Sequence, residues 1–229
     1  YVLALLQGNL GFSYYYKDEV SSVIMGALPW TLLLVSLSLL IATVVGVMLG
    51  IESGYRRGER IDRGLLAGLM LLGGLPHFFL GIVLLLIFGV SLNLFPLSGA
   101  LTPYSGLEGL PLLADIARHL ALPLAALVLV DLGGIYLLTR NTVVTILKEG
   151  FMLTARAKGC SEFCLRYSHA GRNALLPVTT ATGLRIPQLI TEALFIEIIF
   201  SYPGLGLMLR TALDARDYPL IQGILLLVT

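Results

Sequence analysis

The sequence predicts an all-α protein, a polytopic bundle of transmembrane helices. Hydrophobic residues make up 57% of the 229 residues and charged residues only 13%, whereas soluble domains carry about 25% charged residues. The mean hydropathy is +0.89. A soluble globule could not cover this much apolar surface without aggregating. The net charge of +1 gives no reason to expect a nucleic-acid partner, so the bilayer is the predicted environment.

Five apolar stretches are candidate spans, because a transmembrane helix needs about 20 mostly apolar residues. They cover residues 23–51, 65–90, 119–139 and 177–200, with a fifth that begins near residue 219. Pro76 follows two glycines in the second stretch and predicts a kink. The chain begins at Tyr1 and stops at Thr229 inside an apolar run, so we expect a fragment in which the last span is cut.

The loops between the candidate spans differ in basic charge. Loops 52–63 and 140–176 hold four and six Lys or Arg residues, ten in total, whereas the segments on the opposite side hold four. Cytoplasmic loops carry an excess of Lys and Arg. The two basic loops are therefore predicted to be cytoplasmic, which places Tyr1 on the outer side.

Neither the cysteines nor the histidines predict a metal site. Cys160 and Cys164 lie in the second basic loop, where a reducing cytoplasm disfavours a disulfide, and two thiols alone make a poor metal site. His77, His119 and His169 lie in separate segments. We interpret both cysteines as packing residues.

The loop 140–176 is the longest polar stretch and the first candidate site. Residues 143–158 contain no proline and can form a helix, and Gly159 suits a helix C-terminus, where a positive φ is often needed. A second amphipathic segment could follow over 162–170. Small side chains on a basic helix would allow another protein to approach closely. The pattern alone is equally compatible with a solvated loop.

Polar side chains inside the predicted spans form the second candidate site. Ionisable residues in spans are costly and usually face the bundle interior or a cavity. Gln188 and Glu192 are four residues apart and share a helix face. These side chains could line a translocation pathway or pair between helices, whereas Glu197 suits a structural role. The pathway candidates are Asp131, Arg185, Gln188 and Glu192.

Ordered motifs along the chain resemble those of one transporter family. They are Gly8-Asn9-Leu10-Gly11-Phe12-Ser13, Leu28-Pro29-Trp30-Thr31, Pro76-His77-Phe78-Phe79-Leu80-Gly81, His119-Leu120-Ala121-Leu122-Pro123, Phe200-Ser201-Tyr202-Pro203-Gly204-Leu205-Gly206 and Arg216-Asp217-Tyr218-Pro219. Two further stretches resemble the coupling loop of binding-protein-dependent ABC importer permeases: Phe151-Met152-Leu153-Thr154-Ala155-Arg156-Ala157-Lys158-Gly159, and after it His169-Ala170-Gly171-Arg172-Asn173-Ala174-Leu175-Leu176-Pro177. The resemblance is strongest to the dipeptide/oligopeptide/nickel branch.

The resemblance implies a six-helix permease subunit that here lacks its first helix. Residues 1–22 would then be an extracytoplasmic segment and residues 23–229 the permease domain. It also implies a second permease subunit, two cytoplasmic ATPase subunits that use ATP and Mg²⁺, and an extracytoplasmic solute-binding protein. The family's loop motif begins Glu-Ala-Ala, where this chain has Leu153, Thr154 and Ala155. The ATPase-coupling residues implied are Thr154, Ala155, Arg156, Ala157, Lys158 and Gly159.

The predicted function is therefore the permease subunit of an ABC importer for small peptides. The chain has no Gly-x-x-x-x-Gly-Lys-Ser/Thr phosphate loop, so we expect no ATP hydrolysis and no bound cofactor of its own. A nickel or other small-solute importer is an alternative, and so is an ion-coupled secondary transporter that uses Glu192 or Glu197. An integral membrane enzyme is disfavoured, because no His-Glu-x-x-His or Gly-x-Ser-x-Gly motif is present.

Overall fold

The computed structural model of the chain describes residues 10–228, and these are almost entirely helical. Gly8 and Asn9 of the first motif lie outside the described residues. In chain order the elements are β1 (Phe12–Ser13), β2 (Asp18–Glu19), α1 (Val20–Tyr55), α2 (Arg60–Gly73), α3 (His77–Leu84), the π-helix π1 (Leu85–Ser91), α4 (Leu110–Ile146), α5 (Gly150–Ala157), the π-helix π2 (Cys164–Gly171), α6 (Arg172–Ile199), α7 (Leu205–Asp214) and α8 (Tyr218–Val228).

Within residues 10–228, two helices, α1 and α4, are long and apolar enough to cross a membrane by length and composition. A third span is added if the interrupted pair Arg60–Gly73 and His77–Ser91 counts as one. The break falls where Pro76 predicted a kink, since α2 ends at Gly73 and α3 begins at His77. Proline lacks a backbone donor and disfavours helical backbone before it, which explains the interruption.

Several sequence-based boundaries were wrong. The candidate spans 65–90 and 119–139 imply a loop over residues 91–118, but α4 already begins at Leu110, and it continues to Ile146 within the predicted loop 140–176. Helix α7 and the β1–β2 hairpin were not predicted. Hydropathy detects only the membrane-length part of a helix, so helical extensions beyond it and a hairpin of two-residue strands leave no signal.

The chain divides into two compact units. The first comprises the chain up to Leu37 with His77–Leu127 and Pro187–Thr229, and the second comprises Ser38–Pro76 and Val128–Ile186. Helices α1, α4 and α6 each contribute residues to both units. Each unit has buried apolar clusters of its own.

The core of the first unit surrounds the N-terminus of α7. Thr31 Oγ1 accepts a hydrogen bond from the Leu205 amide at 2.8 Å, and the Glu197 carboxylate accepts one from the Gly206 amide at 2.6 Å. Amides in the first turn of a helix lack partners within the helix. The fully buried Glu197 therefore supplies a hydrogen-bond acceptor for the first turn of α7, in agreement with the structural role predicted for it.

Two glycines of the Phe200–Gly206 motif make room for this arrangement. A Cβ atom at Gly204 would collide with the Glu197 carboxylate, and one at Gly206 would collide with the backbone of Leu194. Tyr202 is buried beside them, with its ring 5.7 Å from Trp30 in an edge-to-face contact. The motif is thus explained by close packing between α6 and α7.

Asp217 joins the hairpin to the last helix of the first unit. It accepts hydrogen bonds from Ser13 Oγ at 2.5 Å and from the Tyr15 amide at 3.0 Å, and it lies at the N-terminus of α8. Burial opposes ionisation of Asp217, but these hydrogen bonds outweigh it and hold the pKa of its carboxyl below the ordinary value.

A seam of glycines brings α1 and α4 together in the second unit. Gly46, Gly50 and Gly54 are spaced four residues apart, so they lie along one face of α1. A Cβ atom at Gly50 would lie 2.6 Å from Thr139 Cβ, and one at Gly54 would lie 2.9 Å from the Arg140 carbonyl oxygen. Small residues at such spacing allow membrane helices to pack backbone against backbone.

A buried ion pair lies beside the glycine seam. Asp62 at the start of α2 accepts two hydrogen bonds from the Arg140 guanidinium, at 2.6 and 2.8 Å, and a third from Ser53 Oγ at 2.5 Å. Tyr136 Oη is 2.6 Å from the same Ser53 Oγ. One network therefore joins the three helices α1, α2 and α4. The sequence had shown these charges only as members of two separate loops.

We expect Gly50→Ala to destabilise the protein, because the added methyl group must displace Thr139 or the α4 backbone. Overpacking of this kind costs about 1–3 kcal/mol. The apparent melting temperature in detergent measures the effect. Gly26→Ala on the same helix is the matched control, since a Cβ atom there meets no atom within 4 Å. Equal melting temperatures for the two variants would contradict the seam.

Acid should weaken the attachment of the hairpin to α8. Because the pKa of Asp217 is lowered in the folded protein, its contribution is fully present above the unfolded value of about 3.9 and is lost as pH falls through the folded value. Asp217→Asn should therefore lower the melting temperature at pH 7 and flatten its decline below pH 4. Asp214→Asn is the control because Asp214 is exposed, and a decline equally flattened in both variants would refute the assignment.

Candidate functional site

The predicted coupling segment forms a short helix, α5, that lies on the second unit. Only Met152 and Ala155 of its eight residues are buried, with 1% and 5% of their surfaces exposed. They pack into a cluster that includes Ile51 of α1, Val143 of α4 and Leu165 of π2. Two inward side chains three residues apart therefore fix the orientation of α5.

Gly159 ends this segment in the conformation predicted for it. Its φ is +78°, its amide donates to the Arg156 carbonyl at 2.9 Å, and the Cys160 amide donates to the Ala155 carbonyl at 3.2 Å. These two bonds form a Schellman motif, which requires a left-handed residue at the glycine position. The single helix predicted over 143–158 is interrupted, however, because residues 147–149 separate α4 from α5.

Polar contacts clamp the following segment to the end of α1. Glu52 forms ion pairs with Arg56 and Arg166, each at 2.6 Å. The Arg166 guanidinium lies 4.5 Å from the centre of the Tyr55 ring, and Tyr55 Oη donates a hydrogen bond to Glu162. The amphipathic segment predicted over 162–170 is present and is largely the π-helix π2.

The outward side of α5 is apolar and basic. Leu153 is 73% exposed and Phe151 is 44% exposed, and large apolar side chains at such exposure often mark an interaction surface. Ala155 does not belong to this side, because it packs inward. We define the α5 surface as the exposed residues Phe151, Leu153, Thr154, Arg156, Ala157, Lys158 and Gly159.

Among the polar residues predicted for a pathway, Arg185 and Asp131 pair within the second unit. Arg185 Nη2 lies 2.8 Å from Asp131 Oδ1, and the aspartate is almost fully buried. Gly134 makes room for this contact, since a Cβ atom there would lie 2.7 Å from Arg185 Nη1. Part of the Arg185 side chain remains exposed, so the pair combines a buried anion with an accessible cation.

The other two predicted pathway residues pair within the first unit. Gln188 Nε2 donates to Glu192 Oε1 at 2.9 Å, which confirms that the two side chains share a face of α6. Glu192 Oε2 also lies 3.3 Å from Nε2 of the buried His77. The sequence gave no indication of this histidine contact, because residues 77 and 192 are distant in the chain.

The three histidines lie on three different elements, as predicted. His77 is in α3, His119 is in α4 and His169 is in π2. His119 Nδ1 is 3.6 Å from an oxygen of the Asp115 carboxylate. His169 Nε2 lies 3.7 Å from the Cys160 sulfur, a contact between residues that the sequence had treated separately.

Comparison with known families and proteins places this arrangement in context. Residues 42–229 match the family described as binding-protein-dependent transport system inner membrane component. The chain is 36% identical to the di/tripeptide transport system permease protein DppB of Pseudomonas aeruginosa. The aligned residues cover 100% of this chain and 73% of that protein. It is 35% identical to the oligopeptide transport system permease protein AppB of Bacillus subtilis, over 96% of this chain and 68% of that protein.

A solved structure of another transporter has a similar fold. A crystal structure of an amino acid ABC transporter with histidines aligns with 91% of this chain and 86% of the compared chain, at a TM-score of 0.63. The sequences are only 14% identical, so the likeness concerns the fold alone.

Gly159→Ala should loosen the end of α5, because the left-handed conformation costs an L-residue about 1–2 kcal/mol. Gly159→Asn should cost less, since asparagine tolerates this conformation better. The rate of amide hydrogen exchange at residues 159 and 160 measures the effect. It should be fastest in Gly159→Ala, slower in Gly159→Asn and slowest in the wild type. A Cβ atom at Gly159 would meet no atom within 4 Å, so a steric clash would not account for the effect of either substitution. Identical exchange in all three proteins would contradict the Schellman assignment.

Proposed function

This chain belongs to the family of binding-protein-dependent transport system inner membrane components, and we propose that it is the permease subunit of an ABC importer for small peptides. It is an inner-membrane transport component of a family that lacks ATPase activity. The peptide cargo is supported by the similarity to di/tripeptide and oligopeptide permeases over 96–100% of the chain. That similarity is the observation that carries the proposal, and it favours peptides over nickel or a proton-coupled solute.

In the proposed topology the chain crosses the bilayer five times. The crossings are α1, α2 with α3, α4, α6 and α8, and the segment 1–22 is extracytoplasmic. The ten-to-four bias of basic residues supports this orientation. Residues 23–229 then form the permease domain, with α5 and π2 on the cytoplasmic side.

The α5 surface is the proposed contact with a cytoplasmic ATPase subunit. A helix that offers exposed apolar side chains beside basic ones fits a groove in a partner, and its inward residues Met152 and Ala155 attach it to the second unit. Of the predicted coupling residues, Ala155 acts as an anchor and the other five remain available for contact.

ATP and Mg²⁺ act in the ATPase partners in this proposal. Two ATPase subunits close on ATP and open after hydrolysis, a second permease subunit completes the pathway, and an extracytoplasmic solute-binding protein delivers the peptide. Displacement of α5 would be transmitted to α1 and α4 through the cluster that holds it, so a local movement would bias a two-state bundle.

Two polar pairs are proposed to face the substrate: Arg185 of α6 with Asp131 of α4, and Gln188 with Glu192, both on α6. Charges within a span are costly unless they serve a cavity or a partner. A peptide carries a terminal ammonium and a terminal carboxylate, so a span that offers the Arg185–Asp131 and Gln188–Glu192 pairs provides complementary groups.

Leu153→Asp should uncouple ATP hydrolysis from transport in the reconstituted full transporter. The substitution introduces a charge into the apolar part of the α5 surface but leaves the buried anchors unchanged. We expect peptide uptake to fall at least about tenfold, which corresponds to about 1.4 kcal/mol of lost coupling. Uptake and ATP hydrolysis are measured in the same proteoliposomes.

Two controls accompany this variant. Leu153→Met keeps the apolar character and should transport normally, and Arg57→Asp places a negative charge on an exposed residue of the other cytoplasmic loop. Normal, peptide-stimulated hydrolysis and uptake in Leu153→Asp would refute the docking proposal.

The double variant Asp131→Asn with Arg185→Gln separates a pathway role from a purely structural one. Removing one charge of this pair costs stability because the remaining charge loses that partner, whereas removing both charges relieves this penalty. We therefore expect each single variant to lower the melting temperature and the double variant to recover it. Peptide uptake should stay low in the double variant because the substrate-facing charges are gone. Full recovery of uptake together with stability would show that the pair is only structural.

A further inference from the structure

Three potential metal ligands meet where α5 leads into π2. The sulfurs of Cys160 and Cys164 and a ring nitrogen of His169 all lie within 4.8 Å of one another. The Cys160 sulfur is 3.7 Å from His169 Nε2. All three side chains are partly buried, and both cysteines are free thiols.

The π-helical backbone explains how Cys164 and His169 come together. They are five residues apart, which is about one turn of a π-helix with its i→i+5 hydrogen bonds. On an α-helix five residues advance by about 500°, so the two side chains would point to different faces. The π-helical backbone therefore places a thiol and an imidazole on one side of π2.

The turn at Gly159 brings the third ligand to the same side. Cys160 follows the left-handed glycine directly, and its amide is held by the Ala155 carbonyl. Ser161 Oγ accepts the Cys164 amide at 3.3 Å and so fixes the short connection between the two cysteines. Backbone hydrogen bonds thus position Cys160 and Cys164 without using their sulfur atoms.

The 3.7 Å separation of the Cys160 sulfur from His169 Nε2 fits a tetrahedral zinc site, and the other two ligand separations lie within 4.8 Å. With Zn–S bonds of about 2.3 Å and Zn–N bonds of about 2.05 Å, ligand atoms lie about 3.6 Å apart for S and N and about 3.8 Å apart for two sulfurs. We propose that Cys160, Cys164 and His169 bind one Zn²⁺ ion, with an open fourth position. Soft thiolates with an imidazole favour zinc over magnesium or calcium, whose ligands are oxygens.

Zinc binding would fasten the end of α5 to π2. Without a metal, this connection is held by the hydrogen bond from the Cys164 amide to Ser161 Oγ and by the packing of Met152 and Ala155. A metal that bridges Cys160 with Cys164 and His169 adds three bonds across this short loop. Metal sites of this kind contribute directly to stability, so the segment Gly150–Gly171 should become harder to open.

The test uses the purified full-length protein in detergent under reducing conditions. Metal analysis and titration with Zn²⁺ should give one ion per chain, and Co²⁺ in its place should show thiolate-to-cobalt charge-transfer absorption. Cys164→Ser and His169→Ala should each weaken binding by about 100-fold or more, since even indirect ligand partners matter by 10–100-fold. Zn²⁺ should slow hydrogen exchange across residues 159–169 in the wild type but not in Cys164→Ser or His169→Ala.

Ser168→Ala is the matched control, because Ser168 lies in π2 but is exposed and is not among the three ligands. It should bind Zn²⁺ as the wild type does. Three results would overturn the site: no stoichiometric binding, binding unchanged in Cys164→Ser, or a Cys160–Cys164 disulfide as the resident form in protein purified from the cytoplasmic membrane. None of these readouts depends on transport, so a negative result would refute the zinc site without bearing on the proposed function.

Discussion

Close approach of α1 and α4 along Gly46, Gly50 and Gly54 is the constraint on which the second unit depends. Lipid tails are as apolar as leucine, so membrane helices associate through tight packing and polar contacts. At the seam the backbones come near enough for Asp62 at the start of α2 to reach Arg140, with Ser53 and Tyr136 completing the network. A longer separation of α1 from α4 would leave a buried carboxylate without its partner, which is strongly unfavourable.

The same seam determines where α5 lies. Ile51 and Val143, which flank the Gly54 end of the seam, form the surface on which Met152 and Ala155 pack. Glu52 and Tyr55, one and four residues after Ile51, hold π2 and the residues just before it through Arg166 and Glu162. The exposed residues of α5 are therefore carried by a small, firmly attached helix, which suits an element that passes movement from a soluble partner to membrane helices. In the first unit Glu197 and Thr31 have a comparable part in placing α7.

Patterns that reflect local chemistry predicted the structure well. The break at Pro76, the left-handed Gly159 and the shared face of Gln188 and Glu192 each depend on neighbouring residues, and each is present. Contacts between distant residues were not predictable from one sequence: Asp62 with Arg140, and His77 with Glu192. The π-helix was also hidden, because no residue pattern distinguishes it from an α-helix. That is why Cys160, Cys164 and His169 were interpreted separately, and why the inward position of Ala155 was missed.

Site-directed cross-linking between α5 and the ATPase subunits tests whether the α5 surface is the docking contact. In the full transporter, with Cys160 and Cys164 replaced by serine, single cysteines are introduced at the exposed Leu153 and Arg156 and at the buried Met152. We expect Leu153→Cys and Arg156→Cys to cross-link to an ATPase subunit with a yield that changes with ATP, and Met152→Cys not to react. No cross-link from either exposed position, or an equal yield from Met152→Cys, would contradict the docking contact.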